Sequence, residues 1–339
     1  MNSKERVLKA LAFEKPDRVP LVPFVITFAA KYAGFRFIDY AMNSSIIAES
    51  QITTARRFKV DAVYVDSDPV VEIEAMGAKV EYPEDESPIA STPAVRSTHD
   101  VKLLRVPDPE KDGRLPVWLD AIRILKDKVG EERALFANVN GPFQAAAQLL
   151  GITETAKCML RKPGLLLELL DITTQTVVDF MKAEVRAGVD AVLLGDAMSS
   201  TSLISPAAFE QFSFPYIREV IRRVEGRVPF ILHICGDATR IIDKMVATGA
   251  RYLELDSAVD LAEVRRRQGN SIGIIGNVSP MLLLSGSPEA VEADCRRAIE
   301  AAGKGGAYML GSGCEVPKNT PHRNLDAMTR AAEEYGRYS

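Results

Sequence analysis

The chain has 339 residues and 47% hydrophobic content, enough for a sizeable core in one large or two ordinary domains. A formal charge of −4, an isoelectric point near 5.7 and lysines and arginines spread along the chain leave no basic field for nucleic acid. No apolar run approaches the roughly 20 residues of a membrane span, the start Met1–Leu8 lacks a secretory apolar stretch, and the few cysteines, without a close pair, suit a reducing, cytoplasmic setting.

In chain order, short β-branched runs recur at Val19–Ile26, Ala62–Asp66, Ala134–Val139, Ala191–Gly195, Val228–Ile234, Tyr252–Leu255, Ser271–Gly276 and Ala307–Gly311, each followed by a helical pattern. Eight alternating strand and helix units favour a single (β/α)8 TIM barrel over residues 1–339 rather than an open doubly wound sheet. The stretch from about 69 to 116 breaks the rhythm with Pro83, Pro88, Pro93, Pro107 and Pro109 among charged residues, and reads as an inserted hairpin or lid beside the barrel mouth. His99 falls inside it, with no role expected. The longest helical run, about Pro163 to Ala187, points Leu166, Leu169, Leu170, Ile172, Val177 and Phe180 into the core. Ser205, Ser287 and Thr320 read as helix caps, each followed by proline at a first-turn position.

The chemistry concentrates in three residues. One of only three histidines and one of only four cysteines stand two apart in His233-Ile-Cys235, at the end of an apolar run. Alternate residues on a strand share a face, so an imidazole and a thiolate are offered to one ion. Cys314, in Gly311-Ser-Gly-Cys314, adds a second thiolate from the last strand end. Three ligands of this kind leave the fourth tetrahedral position open, the mark of catalytic rather than structural Zn2+. Strand ends are also where barrels keep their chemistry. A buried structural thiol and a satisfied core histidine are the bland alternatives.

His233-Ile-Cys-Gly-Asp-Ala, Gly276-Asn-Val-Ser-Pro280 and Gly311-Ser-Gly-Cys-Glu-Val-Pro317, with Pro321 and Asn324, resemble the zinc-dependent branch of the uroporphyrinogen decarboxylase superfamily, the methylcobamide:coenzyme M-type methyltransferases. The likeness runs from Lys15-Pro-Asp-Arg-Val-Pro20 to the last helix. It implies a (β/α)8 barrel, Zn2+ on His233, Cys235 and Cys314 as catalytic residues, and methyl transfer between methylcobalamin on a partner corrinoid protein and a small acceptor or donor such as a coenzyme M-like thiol or tetrahydrofolate. No Asp-x-His-x-x-Gly segment is present around His99, His233 or His322, so the corrinoid is expected on a separate protein. The decarboxylase branch grips its polycarboxylate substrate with arginines after the first strand, whereas residues 23–34 here carry only Lys31, with Arg36 beyond.

Lesser candidates follow from position. Asp196 and Asn277 end strands and are read as substrate contacts, against simple helix capping for Asp196. Glu254, Asp256 and Glu315 are possible fourth ligands or orienting groups for the His233 imidazole. Cys158 and Cys295 read as inert core thiols, and His322 as a surface residue in a helix first turn. Two other functions compete: a metal-free decarboxylase, a lyase with arginines at its mouth, and a structural-zinc or binding protein whose site a fourth protein ligand would close.

Overall fold

The computed structural model describes residues 1–66, 68–224 and 226–338. Seven strands form one curled parallel sheet: β1 (Ala62–Val65), β4 (Ala134–Asn140), β5 (Ala191–Gly195), β6 (Phe230–Ile234), β7 (Tyr252–Leu255), β8 (Gly273–Val278) and β9 (Tyr308–Ser312), hydrogen-bonded in that order. Between β1 and β4 a separate antiparallel pair is formed by β2 (Val80–Glu81) and β3 (Ile89–Ala90). Nearly every residue of the seven strands is buried. Helices pack around the sheet, which is why these strands read as mostly apolar runs without regular alternation, broken mainly by polar residues toward their carboxyl ends.

Seven of the eight expected runs are therefore strands. The first, residues 19–26, lies between β9 and β1 without regular strand structure. Val22 N–H donates to Leu310 O, Leu310 N–H to Pro20 O and Asp61 N–H to Leu21 O, each at 2.8 Å, so the segment touches both edges of the sheet. Pro20 and Pro23 carry no N–H, and a ladder on two sides cannot run through them.

Asp61, just ahead of β1 and completely buried, fixes this segment in place. It accepts hydrogen bonds from Arg6 (2.8 Å), Arg18 (2.9 Å), Ser3 (2.6 Å) and the Leu21 N–H (2.8 Å). On the outer layer the helix Pro163–Ala187 buries Leu166, Leu169, Leu170, Val177 and Phe180, and Phe180 packs on Trp118 of the helix Leu115–Val129. Ser205 and Ser287 cap helices that begin at Pro206 and Pro288. The last helix starts one residue later than the Thr320–Pro321 pattern suggests: Pro321 occupies the cap position and His322, exposed, opens the helix His322–Glu334.

The 69–116 stretch contains a short helix Val71–Ala75, the β2–β3 hairpin and a second short helix Thr98–Leu103 bearing exposed His99. The hairpin loop reaches the carboxyl-end side of the sheet, where Lys318 bonds the Glu86 carboxylate at 2.6 Å and the Asp85 carbonyl at 2.9 Å.

Candidate active site at the carboxyl ends of the strands

The carboxyl ends of the strands surround a cavity of about 270 Å3 lined by His233, Cys235, Glu254, Cys314 and Glu315 on one side and Asp66, Asn138, Asn140 and Gln144 on the other. His233 lies on β6 facing this space, and Cys235 follows one residue past the strand end, on the same face as the two-residue spacing requires. Cys314 arrives two residues after β9. The Gly313 N–H donates to Val278 O, and Phe24 brackets the turn, receiving the Val316 N–H on its carbonyl and giving its own N–H to Ser312 Oγ. Gly313 is pressed against the backbone after β7: a Cβ there would stand 2.5 Å from Ser257 N. Gly236 adopts φ of +75°, a left-handed turn that suits glycine and bends the chain away directly after Cys235.

The three donor atoms lie within 4.8 Å of one another. His233 Nε2 is 3.0 Å from Cys235 Sγ, and the two sulfurs are 3.8 Å apart. Tetrahedral zinc with Zn–S bonds of about 2.3 Å sets its sulfurs about 3.8 Å apart, so the thiol separation already matches that edge. The histidine is oriented from behind: Nδ1 is 3.1 Å from the Glu254 carbonyl and 3.4 Å from its carboxylate. Donation from Nδ1–H to that carbonyl leaves Nε2 for the cluster. Both Glu254 carboxylate oxygens are buried without a hydrogen-bond partner, and the group faces the His233 ring at 3.4 Å, so a cation at the cluster would add to the little that balances it. Together the donor set and the buried carboxylate behind it fit a zinc ion.

The ionisable groups respond to this crowding. Burial works against the charged imidazole of His233, but Cys314 and Glu254 outweigh it and lift the pKa to about 9. Contact with Cys314 lowers the Cys235 thiol, while Cys314 is pushed up by Cys235 and by burial. The two neighbouring sulfurs are thus pushed apart in acidity, Cys235 down and Cys314 up. Burial raises Glu254, with His233 pulling the other way, and burial likewise raises Glu315.

The remaining expected site residues divide. Glu254 and Glu315 line the cavity; Glu315 is held by Thr27, whose N–H and Oγ1 donate to Oε1 at 2.8 and 2.6 Å. Asp256 does not reach the cluster but pins the turn beside it, accepting from Gly236 N–H at 2.9 Å and Ala258 N–H at 3.0 Å. Asn277 is completely buried and turned from the cavity, its amide donating to Asp256 O (2.9 Å) and Val259 O (2.7 Å) to clamp the loop after β7. Asp196 is also completely buried and turned away, accepting from Phe143 N–H at 3.3 Å in the first turn of the helix Pro142–Leu150. It is a helix-capping carboxylate, for a helix other than its own. A Cβ on Gly141 would collide with it. Cys158 and Cys295 are buried in helices, remote from the cluster.

The opposite wall was not foreseen. Asp66, one residue past β1, accepts from Asn138 Nδ2 at 2.7 Å. Asn140 gives its N–H and Nδ2 to completely buried Glu72, both at 2.7 Å, and accepts from Gln144 at 2.5 Å. Behind them Arg114 forks onto Asp68 at 2.6 and 3.1 Å and reaches Glu74 at 2.6 Å. Burial drives the Asp66 pKa well above the ordinary carboxylate range; Asn138 opposes the rise, and Asp68, Glu315 and Glu72 add to it. Two signals for this wall were present: a carboxylate ending the predicted strand Ala62–Asp66, and asparagines interrupting the apolar run of β4.

A model of the family described as uroporphyrinogen decarboxylase (URO-D) matches residues 2–335. The methylcobamide:CoM methyltransferase MtaA of Methanosarcina barkeri is 28% identical over 338 residues, covering 98% of each chain. The uroporphyrinogen decarboxylase of Methylobacillus flagellatus is 30% identical over 312 residues, covering 89% of this chain and 86% of that protein. Among solved structures, a methyltransferase from Methanosarcina mazei superposes with a TM-score of 0.91 at 27% identity, covering 99% of both chains.

Proposed function

Because the chain belongs to the uroporphyrinogen decarboxylase family, which includes relatives of two chemistries, we propose from its site that it is a zinc-dependent methyltransferase, moving a methyl group between a corrinoid protein and a small thiol or tetrahydrofolate. The observation that carries this reading is the convergence of His233, Cys235 and Cys314 within 4.8 Å at the wall of an accessible cavity. Decarboxylation would not require that cluster, and among the described residues lining the cavity no arginine or lysine is present to hold a polycarboxylate. A permanently closed structural site is disfavoured by the same geometry: no further Cys or His joins the three among the described residues, and Asp256 is engaged with backbone N–H groups.

His233 Nε2 and the sulfurs of Cys235 and Cys314 would hold zinc. Bound there, zinc would supply an open coordination position whose two thiolate ligands cancel its charge, so that an incoming thiol ionises yet stays electron-rich. The chain's own residues do the rest. Glu254 orients the imidazole, Asp256 holds the turn that follows Cys235, Asn277 clamps the loop that carries Asp256, and Phe24 and Ile26 add apolar surface to the cavity wall. The whole chain, 1–339, is read as one (β/α)8-type barrel domain in which residues 19–26 stand in the eighth strand position and 69–116 form the insertion. The corrinoid protein would approach the open mouth, in the cytoplasm.

Purified protein carrying zinc, mixed with methylcobalamin and a thiol or tetrahydrofolate, should consume the methylcobalamin absorption, and Cys314→Ala should not. Decarboxylation of uroporphyrinogen by the zinc-stripped protein, with no methyl transfer to either acceptor class, would overturn the reading in favour of the lyase.

A further inference from the structure

The charge of the cavity selects among the small molecules this reading admits. Four carboxylates line it: Asp66, Asp68, Glu254 and Glu315. Two have local answers, Asp68 in the fork of Arg114 and Glu254 beside the His233 ring. Asp66 and Glu315 have no cationic partner among the described residues; each is met only by neutral donors, Asn138 and Thr27.

A second observation points to a ligand. Asn138 is only 8% exposed, and with Nδ2 given to Asp66 its Oδ1 has no hydrogen-bond partner. That oxygen is left uncovered by Gly195, which also lines the cavity: a Cβ there would stand 3.1 Å from Oδ1. A buried acceptor left open in this way is destabilising unless a donor fills it. The nearby cations are turned to other surfaces. Lys31 bonds Asn319 at 2.5 Å and Lys318 bonds Glu86 at 2.6 Å, and both line a separate, wider depression of about 620 Å3 with His322 and Arg323.

We propose that Asp66, Glu315 and the free Asn138 carbonyl form an amine-recognising subsite, so that the methyl acceptor or donor bears an ammonium or N–H group at the end away from its reacting atom and does not bear a sulfonate or carboxylate there. An anionic tail would meet two buried carboxyl groups and an open carbonyl with no arginine or lysine among the described lining residues to answer it, and like charges brought together in a partly desolvated site repel. An ammonium would find Asp66 and Glu315 unpaired and a carbonyl ready to accept.

The inference rests on thiol chemistry at the Cys–His cluster, and three thiols of equal length separate the two claims: 2-mercaptoethylamine, 2-mercaptoethanol and 2-mercaptoethanesulfonate. With Co(II) in place of zinc, sulfur-to-metal absorption reports binding of each without turnover. The expected order of affinity is amine, then alcohol, then sulfonate, with amine and sulfonate apart by about tenfold or more. The ammonium also acidifies its own thiol, so the decisive quantity is the amine-to-sulfonate ratio in the protein against that in Asp66→Asn and, should that variant fold poorly, Glu315→Gln. The ratio should fall severalfold in either. Sulfonate binding as tightly as amine, or a ratio unmoved in the folded variants, overturns the subsite while leaving the thiol chemistry standing. No thiol-dependent absorption with any of the three removes the thiol reading, and this inference with it.

Discussion

On the β6–β9 side of the cavity, His233, Cys235 and Cys314 bring three donor atoms together, with the buried Glu254 carboxylate behind them facing the His233 ring. On the β1–β4 side, polar groups just as deeply buried are largely answered by the chain itself: Glu72 by Asn140, Asn140 by Gln144, Asp68 by Arg114. The first wall is a donor set that could hold a metal ion. The second is a scaffold braced by amides and an arginine, and it leaves only Asp66 and the Asn138 carbonyl open toward the cavity. On the proposed function the contrast separates chemistry from scaffold: the Cys–His residues should be changeable at small structural cost, the braces behind the opposite wall should not.

The largest effect expected from this contrast is on metal. Protein as purified should carry about one zinc per chain, and Cys235→Ala or Cys314→Ala should lose it together with methyl transfer, by elemental analysis and by the methylcobalamin assay. Their urea unfolding free energies should stay within about 1 kcal/mol of the metal-free parent, because a core of this size needs no ion to hold it. Full zinc retention in both variants would break the comparison at its first wall.

Next comes the opposite wall. Arg114→Met removes the charge facing buried Asp68 and should cost about 3–5 kcal/mol in urea unfolding, the usual penalty for stranding one partner of a buried ion pair. Zinc content in the folded fraction should be unchanged. A loss under 1 kcal/mol would show that the brace is not one.

The smallest effect is a slope with pH. Burial raises Asp196 to about 7, although the Ser199 contact and backbone N–H groups near Phe143 and Gln144 pull it down. A carboxylate with a raised folded pKa contributes stability that is complete below its unfolded value near 4 and is lost as pH rises to about 7. Asp196→Asn should therefore flatten the fall in unfolding free energy between about pH 4 and 7, by up to about 1.4 kcal/mol per pH unit. Parallel pH profiles for the two proteins would contradict it.

The same contrast explains what the sequence made legible. The meeting of His233, Cys235 and Cys314 could be read because histidine and cysteine are scarce here, and because a spacing of two on a strand fixes a shared face whatever the tertiary details. Strand positions were legible where apolar runs were uninterrupted. Residues 19–26 carried the pattern but also Pro20 and Pro23, and the missing N–H groups left contacts without a ladder. Asp196 and Asn277 show the limit: both follow or end strands, yet a local choice of side-chain direction sends one to a neighbouring helix and the other to two loop carbonyls. Asp66 and Asn138 stayed unremarked because carboxylates and amides are common, and only the folded geometry shows which of them face a cavity.

The central claim is that His233, Cys235 and Cys314 hold a zinc ion whose remaining position takes the thiol. X-ray absorption at the zinc edge, recorded with and without 2-mercaptoethylamine, addresses it directly. The account predicts one nitrogen, two sulfur ligands and one lighter ligand at rest, changing to one nitrogen and three sulfurs when the thiol is added. A zinc shell that stays unchanged while methyl transfer to the thiol proceeds would contradict it.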